Sequence, residues 1–399
     1  MLSLMKVYTF SFIYGLFITN ALSHKYETDP EIYMNVTEVI NLYKYPCENH
    51  LVTTEDGYIL SMQRIPFGIK MSSSSKRPVV FLQHGLLDSS FTWVNNAPDK
   101  SLAFILADNG FDVWLANSRG NVYSNKHIKY PTDSNKFWDF SWDEMAQYDL
   151  SASIEYVLSV TKSDKISYIG HSQGTEIMFA KLSQNSSLNS KINSVVALAP
   201  VAFLGHVQSG IKYFARIAGG LDILLKIFGH GEFLPSSRFM KDLISYVCGD
   251  KAPALCGDFL FLLTGYDTSN LNYTRLPIYL AHTPAETSAK NMVHYAQAYE
   301  SNEFKMYDYG IFGNLYYYHE IHPPKYQLNT HGVPLAVFWG GNDWLADYDD
   351  VSAAIKIFGN DIKLNRFISY YNHLDFVWGV NAAQLIYPDI IKFINSYRN

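Results

Sequence analysis

The chain has 399 residues, of which 48% are hydrophobic and 17% are charged. This composition is typical of a folded protein with a large core and excludes an intrinsically disordered chain. The net charge is −6 and there is no stripe of Lys and Arg, which argues against nucleic acid as a partner, because phosphate binding needs clustered positive charge. The length allows one large domain or two modest ones.

The N-terminus has the layout of a secretory signal peptide. Lys6 precedes an apolar run over 7–19, and residues 21–23 (Ala-Leu-Ser) supply the small residues of a cleavage site, so we expect cleavage after Ser23. A signal anchor is the alternative, but the run is shorter than the ~20 residues that span a bilayer. No later stretch reaches that length. We therefore predict a secreted or lysosomal protein whose mature chain has no transmembrane segment.

Sequons and cysteines agree with a secretory compartment. Cys248 and Cys256 are close enough in sequence to close a short loop by a disulfide bond, which leaves Cys47 as a small buried hydrophobe. Asn-X-Ser/Thr sequons predict N-glycosylation at three positions: Asn35, Asn185 and Asn272.

The first predicted elements are a capped helix and a hairpin. Asn35 and Glu38 form a capping box that opens a helix over 35–43. Strands follow over 50–54 and 58–64, joined by Glu-Asp-Gly, which is a hairpin signal.

Strands and helices then alternate along the chain. Ser141 and Glu144 form a second capping box, and apolar residues at helical spacing follow it as far as Leu158. Unbroken apolar runs predict strands that are buried on both faces. The alternation predicts an α/β fold with a mostly parallel sheet flanked by helices. The remaining elements of this part are strands over 78–83, 111–116, 165–169 and 195–199, and a helix over 174–182.

The alternation stops at about residue 203 and resumes after residue 329. The intervening region predicts several helices without alternating strands, which is typical of an inserted cap. Strands over 333–339 and 366–371 and a helix over 382–397 complete the chain. The predicted division is a signal peptide over 1–23, a core over 24–202 and 330–399, and a cap over 203–329.

A G-x-S-x-G motif, Gly170-His-Ser-Gln-Gly174, lies between a predicted strand and a predicted helix. This is the context of a nucleophile elbow, in which the glycines allow close approach of backbone and helix while the serine hydroxyl is lifted from the sheet edge. We predict that Ser172 is a catalytic nucleophile. The alternative is that Ser172 is an ordinary turn serine. That alternative gives no role to the candidate acid and base that follow it in the chain.

A serine hydroxyl becomes a good nucleophile only beside a base that a third group holds in place. In this arrangement the acid and then the histidine follow the serine, each in a loop after a strand. Asp343 directly follows one late strand, and His373 follows the next and is the only histidine after Asp343. We predict that these two residues complete a catalytic triad. The competing carboxylates have the pattern of a solvated helix start: Asp347, Asp349 and Asp350.

Two backbone N–H groups are expected to stabilise the oxyanion. One belongs to Gln173, at the N-terminus of the helix after Ser172. The other belongs to Leu86, in the loop after the strand over 78–83, where Gly85 allows the turn. We interpret His84 in the same loop as a structural side chain that shapes the loop.

We expect no metal and no organic cofactor. His319-Glu-Ile-His322 lacks the H-E-x-x-H spacing, so its two imidazoles would not share one face of a helix. The sequence also contains neither a P-loop nor a G-x-G-x-x-G motif.

Six motifs together resemble the acid lipase family, which includes gastric and lysosomal acid lipases, and the similarity covers nearly the whole mature chain. They are TTEDGY at 53–58, FLQHGLL at 81–87, NSRGN at 117–121, GHSQG at 170–174, GGNDWLAD at 340–347 and HLDFVWG at 373–379.

The resemblance implies an α/β-hydrolase core with a cap and a lid, acting on acylglycerols or cholesteryl esters at a lipid–water interface. It assigns the triad to Ser172, Asp343 and His373 and the oxyanion donors to Leu86 and Gln173. It also implies a disulfide bond between Cys248 and Cys256. The lid corresponds to 233–265, where an apolar stripe lies at helical spacing: Phe239, Leu243, Ile244 and Val247.

Two positions depart from the family pattern. Glu176 stands where relatives usually have a second threonine, and the cysteine that relatives often have near Thr264 is absent. An acidic residue suits a helix N-terminus, or it alters the pH profile.

The predicted function is that of a serine lipase that hydrolyses neutral lipid esters through an acyl-enzyme. A carboxylesterase or phospholipase acting on other esters is the first alternative. The second is a non-catalytic lipid-binding protein on the same fold, which usually lacks a triad residue.

Overall fold

The computed structural model describes residues 29–71, 76–210, 231–233, 238–244, 246–248, 253–267 and 269–398. The predicted signal peptide over 1–23 lies outside the described residues, as does part of the predicted lid over 233–265.

A nine-stranded sheet occupies the centre of this described part. The described residues form eleven strands, of which nine belong to that sheet and two pair with each other. The strands are β1 (Glu48–Thr53), β2 (Tyr58–Ile65), β3 (Val79–Gln83), β4 (Asp112–Ala116), β5 (Lys126–His127), β6 (Ile166–His171), β7 (Ile192–Leu198), β8 (Glu232–Phe233), β9 (Thr287–Ser288), β10 (Leu335–Gly340) and β11 (Ile362–Ile368).

Six strands of the central sheet are parallel, in the spatial order β4-β3-β6-β7-β10-β11. The β1–β2 hairpin extends the sheet beyond β4 with antiparallel pairing, and β5 pairs with β2. Every position of β3, β4 and β6 is buried, which is why these strands are continuous apolar runs in the sequence. The predicted mostly parallel sheet is confirmed, and its carboxyl ends meet at one edge.

Helices alternate with the strands of the parallel sheet. Besides the three-residue helix Trp142–Glu144, the α-helices are α1 (Val36–Leu42), α2 (Leu102–Asp108), α3 (Leu150–Thr161), α4 (Gln173–Ser183), α5 (Arg238–Ile244), α6 (Pro253–Thr264), α7 (Leu276–His282), α8 (Ala289–Ser301), α9 (Gly310–Tyr317), α10 (Tyr348–Phe358), α11 (Asp375–Trp378), α12 (Ala382–Leu385) and α13 (Tyr387–Tyr397). Short 3-10 helices cover Pro30–Ile32, Ser90–Trp93, Ser187–Lys191, Tyr273–Arg275 and Gly359–Asp361.

Both predicted capping boxes are present. The Asn35 side chain accepts from the Glu38 N–H, and the Glu38 carboxylate accepts from the Asn35 N–H. Ser141 and Glu144 cap a short helix, Trp142–Glu144, in the same reciprocal way. The helix predicted from Ser141 onward is not regular, because a π-helical turn, Met145–Asp149, separates that cap from α3.

Two predictions near the C-terminus are wrong in their bounds. The strand predicted over 366–371 is β11, Ile362–Ile368; only its last residue is buried, so this edge strand lacks the apolar run that marks the central ones. The helix predicted over 382–397 is two helices that meet at Ile386. Pro388 has no N–H to donate back to the preceding turn, so one continuous helix cannot form there.

Helices dominate the described residues between β7 and β10. They are α5 to α9, and the two-residue strands β8 and β9 are the strands found there. Helix α5 contains three residues of the predicted lid stripe, of which Leu243 is 43% exposed. None of the helices in the described ranges is both long and apolar enough to cross a membrane.

Candidate active site

Ser172 lies at the turn between β6 and α4, at the carboxyl edge of the sheet. Its φ is +53°, which is unusual for a residue with a side chain and typical of a strained elbow. A Cβ at Gly170 would lie 2.7 Å from the backbone of Gly174, and one at Gly174 would lie 2.4 Å from the carbonyl oxygen of Gln83. The two motif glycines therefore permit the turn that holds Ser172 at the sheet edge.

His373 is placed beside Ser172 by the loop after β11. Its Nε2 lies 2.8 Å from the Ser172 Oγ, and its Nδ1 lies 3.0 and 2.9 Å from the two carboxylate oxygens of Asp343. All three side chains are buried. The carboxylate can hold the imidazole with its proton on Nδ1, which leaves Nε2 free to take the proton of the serine hydroxyl.

Asp343 is held by its own loop. Its Oδ1 accepts from the backbone N–H groups of Leu345 and Ala346, at 2.9 and 2.8 Å. Gly340 and Gly341 bring the loop close to the chain that leads to His373, because a Cβ at either position would lie within 2.3 Å of a backbone oxygen of that chain.

The competing carboxylates have other contacts. Asp347 caps α10 by accepting from the Asp349 N–H, and it also accepts from the Gln208 amide at 2.6 Å. Asp350 pairs with the imidazole Nδ1 of His206 at 2.7 Å. Neither contact involves His373.

The loop after β3 packs directly against Ser172. A Cβ at Gly85 would lie 3.0 Å from the Ser172 Cβ, so this residue has no room for a side chain. The next residue, Leu86, lines the same cavity as Ser172, and Gln173 is the first residue of α4. Both predicted oxyanion donors therefore belong to segments that flank the serine.

His84 shapes this loop, as interpreted from the sequence. Its Nδ1 lies 2.8 Å from the Gly85 carbonyl, and its Nε2 accepts from the Ser118 N–H at 3.0 Å. Burial lowers the pKa of His84 to about 4. Burial also lowers the pKa of His171 to about 3, and its Nε2 lies 2.9 Å from the carbonyl of His373. Both imidazoles are therefore neutral at pH 7, and each forms hydrogen bonds to backbone groups close to Ser172 or His373.

The Ser172 hydroxyl faces an apolar cavity of about 420 Å³. The cavity is enclosed by the loop after β3, by α6, by the face of α8 that carries Met292, Tyr295, Ala296 and Tyr299, and by the loops that carry Asp343 and His373. Its other apolar walls include Leu87, Val201, Leu204, Val207, Leu260, Leu263, Leu280, Leu345, Leu374 and Trp378. Such a space suits an acyl chain.

The end of α6 contacts both triad loops, which the sequence did not predict. The Thr264 carbonyl accepts from the His373 N–H at 3.1 Å and from the Trp344 N–H, next to Asp343, at 3.4 Å. The Gly265 carbonyl accepts from the Asn372 amide at 3.0 Å. The sequence signal available was a Thr-Gly pair at the end of an apolar helix, which is too common to indicate such a role.

The three cysteines form one disulfide bond and one free thiol. Cys248 and Cys256 are joined by the disulfide bond. Cys47 is half-buried, and this burial raises the pKa of its free thiol to about 11. Asn35 and Asn185 are exposed, whereas Asn272 is half-buried and accepts from the Thr274 N–H. His319 and His322 are exposed, and no cluster of metal-binding side chains occurs in the described part of the chain.

Comparison with known proteins agrees with the fold. A sequence model for the alpha/beta hydrolase fold matches residues 78–380, and one for a partial alpha/beta-hydrolase lipase region matches residues 36–97. A soluble variant of monoglyceride lipase from Saccharomyces cerevisiae superposes with a TM-score of 0.54 at 14% identity, covering 89% of this chain and 99% of that one. The fold and the site thus define the class as α/β-hydrolase.

Two human relatives assign the chain to one family within this class. Human gastric triacylglycerol lipase is 44% identical over 370 residues, which are 92% of each chain. Human lysosomal acid lipase/cholesteryl ester hydrolase is 44% identical over 374 residues, which are 93% of each chain. The chain belongs to the acid lipase family of the α/β-hydrolases.

Proposed function

We propose that this protein is a lipase that hydrolyses the carboxylic ester bonds of neutral lipids, acylglycerols and cholesteryl esters, through an acyl-enzyme on Ser172. One observation carries the proposal: the Ser172 hydroxyl, in line with His373 and Asp343, opens into an apolar cavity. The names of the two human relatives support the same substrate class.

The reaction follows from the geometry. His373 Nε2 takes the proton of Ser172 as Oγ attacks the ester carbonyl, and the Asp343 carboxylate stabilises the imidazolium that forms. The imidazolium then donates this proton to the departing alcohol, which leaves the acyl group on Oγ. Water, deprotonated by the same imidazole, attacks the acyl-enzyme, and the imidazolium returns this proton to the Ser172 Oγ as the fatty acid is released.

The oxyanion is stabilised by the N–H groups of Leu86 and Gln173. The backbone of Gly85 lies against Ser172, and Gln173 opens α4, where the helix dipole favours negative charge. These groups are fixed before substrate arrives, so no reorganisation is needed as the charge develops.

The two rival functions are less well supported. The cavity walls are almost entirely aliphatic and aromatic, which favours long acyl chains over small polar esters. A non-catalytic lipid-binding protein would not need the aligned triad atoms. The hydrogen bonds on both imidazole nitrogens of His373 therefore favour an enzyme.

We further propose that α5 and α6 contribute to a lid that meets the lipid surface. Leu243, Leu255 and Leu262 on these helices are 43%, 69% and 51% exposed, and apolar side chains of this kind gain free energy on contact with lipid. The 1–23 segment and the three sequons support passage through the secretory pathway.

The test is hydrolysis of emulsified long-chain triacylglycerol and of a soluble short-chain ester, at acidic and neutral pH, with the Ser172→Ala protein in parallel. We expect serine-dependent hydrolysis that is faster on the emulsion. Activity on the soluble ester alone would indicate a carboxylesterase. Absence of activity on both substrates would overturn the proposal.

A further inference from the structure

Glu176 is a buried carboxyl one turn after the nucleophile. It lies in the first turn of α4 and is 1% exposed. Its Oε2 accepts from the hydroxyl of Tyr295 at 2.5 Å, and its Oε1 has no hydrogen-bond partner within the described residues. An acidic side chain at a helix N-terminus is usually solvated, so this burial requires a structural or functional reason.

The surroundings of Glu176 favour its neutral form. Burial raises its pKa to about 8, with the Tyr295 hydrogen bond lowering it and negative charge on nearby Asp143 raising it. Asp143 is itself buried, which raises its pKa to about 7, and it accepts from the Tyr326 hydroxyl at 2.8 Å. The charged groups on neighbouring elements form ion pairs with other residues. Lys290 on α8 pairs with Asp139 and Glu144, and Asp149 pairs with Arg119. His294 on α8 bonds the Lys305 carbonyl, and burial lowers its pKa to about 3.

Tyr295 links this carboxyl to the cavity. It belongs to the face of α8 that lines the cavity, together with Met292, Ala296 and Tyr299. The Gln173 side chain also interacts with Tyr295 and donates to Asn291 on α8 at 3.3 Å. Two residues of the first turn of α4 therefore fix α8 relative to the serine.

We propose that Glu176, in its neutral form, is a positioning residue that holds Tyr295 and thereby the wall of the acyl cavity, so that its ionisation weakens the binding of long acyl chains. The inference rests on the proposed lipase function and deepens it, because it identifies a residue that limits long-chain substrates at alkaline pH. The triad atoms do not contact Glu176.

Ionisation would change the cavity wall because it places an unpaired charge in the interior. An ionised Glu176 would lie beside Asp143 without a cation, and a buried unpaired charge is strongly unfavourable. The Tyr295 hydroxyl already bonds Oε2 and bonds it more strongly once the carboxyl is charged, so relief comes from water that enters beside the unpartnered Oε1. This water loosens the packing of the cavity wall, while His373 and Ser172 keep their contact. KM for long chains therefore rises with pH, whereas kcat is affected much less.

The first experiment measures KM and kcat on a long-chain and a short-chain monomeric ester at pH 5.5 and pH 8.5. In the wild type, long-chain KM rises about three- to ten-fold at the higher pH, the change expected from one net hydrogen bond. In Glu176→Gln, which cannot ionise, the ratio of the two KM values falls to near one. Glu300→Gln, the same change at an exposed position of α8, keeps the wild-type ratio.

Tyr295→Phe completes a double-mutant cycle with Glu176→Gln. Long-chain KM is already raised at pH 5.5 in Tyr295→Phe, and the double variant is no worse than this single variant. Equal and additive effects of the two changes would contradict the link between the residues.

A binding measurement separates this inference from the proposed function. A pyrene-labelled long-chain alcohol, which does not titrate in this range, is bound to Ser172→Ala protein with and without Glu176→Gln. Weaker binding at pH 8.5 that Glu176→Gln abolishes supports the positioning role even if turnover is absent. Binding whose pH dependence Glu176→Gln leaves unchanged overturns it, even if the protein is an active lipase.

Discussion

Gly265, at the end of α6, lies so close to Asn342 that a Cβ at 265 would be 1.7 Å from the Asn342 carbonyl oxygen. Asn342 precedes Asp343, and Thr264 accepts from the N–H of His373. The end of one helix between β7 and β10 therefore sets the positions of the loops that carry the proposed acid and base. Backbone contacts and the Asn372 side-chain amide thus join the end of α6 to the loops of Asp343 and His373.

Gly265→Ala should lower kcat/KM at least about 10²-fold and also reduce Tm. The new methyl group must displace the Asn342 backbone, and a shift of about 1 Å at a catalytic group can cost this much. The φ of Gly265 is +103°, which adds conformational strain. Kinetics on a soluble ester and a thermal unfolding curve measure both effects.

The control for Gly265→Ala is Gly332→Ala. Gly332 has a similar positive φ of +87° but open space where a Cβ would be, so its substitution tests strain without a clash. If both variants lost kcat/KM to the same extent, contact with Asn342 would not be the cause.

Asp343→Asn should lower kcat about 10⁴-fold with little effect on KM. The amide cannot hold the imidazole with its proton on Nδ1, so Nε2 is no longer free to accept from Ser172. Asp347→Asn is the matched control, because asparagine caps helices as well as aspartate does. A larger kcat loss in the Asp347 variant than in the Asp343 variant would reverse the assignment of the acid.

Arg119→Met should reduce the free energy of unfolding by about 3–5 kcal/mol, because it leaves the buried Asp149 carboxylate and the partly exposed Asp56 carboxylate without their cation. The guanidinium is 1% exposed, bonds Asp56 and Asp149 at 2.6 Å, and lies 4.0 Å from the ring centre of Tyr58. Urea unfolding measures the loss.

Arg366→Met provides the surface reference for this measurement. Arg366 and Asp389 are 3.7 Å apart and about half exposed, and such pairs contribute at most about 1 kcal/mol. The burial argument would fail if the two variants were equally destabilised.

His84→Gln should flatten part of the pH dependence of stability. The pKa of His84 is about 4 in the native state and about 6.5 when unfolded, so the unfolded chain binds the extra proton between these values. The wild type therefore loses stability relative to the variant as pH falls from about 6.5 to 4, and the difference is constant above pH 7. Urea unfolding of both proteins at four pH values measures this difference; a wild type that gained stability relative to the variant as pH fell would contradict the prediction.

The sequence indicated which side chains would meet at the carboxyl edge of the sheet, but not the bounds of every strand. Ser172 and Asp343 each follow a strand that is visible in the sequence as an apolar run, and His373 follows the next strand in the order that the fold requires. Their meeting at one edge of the sheet could therefore be inferred. The exposed edge strand β11 has no such run, which explains why its start was predicted four residues late and its end three residues late.

Tertiary contacts explain what local patterns did not reveal. The burial of Glu176 depends on Tyr295, 119 residues away in the chain, and no spacing rule relates the two. The π-helical turn places Asp149 against Arg119, a contact that overrides the regular helical period. The sequence marked Glu176 only as a departure from the family pattern.

Covalent labelling tests the central claim most directly, because it detects the nucleophile itself. The protein is incubated with a long-chain alkyl phosphonate ester, which transfers its phosphonyl group to an activated serine, and the adduct is located by mass spectrometry. We predict one adduct per chain, on Ser172, and none in Asp343→Asn over the same time. An adduct on another residue, or no adduct in a folded wild-type protein, would contradict the assignment of Ser172 as the nucleophile.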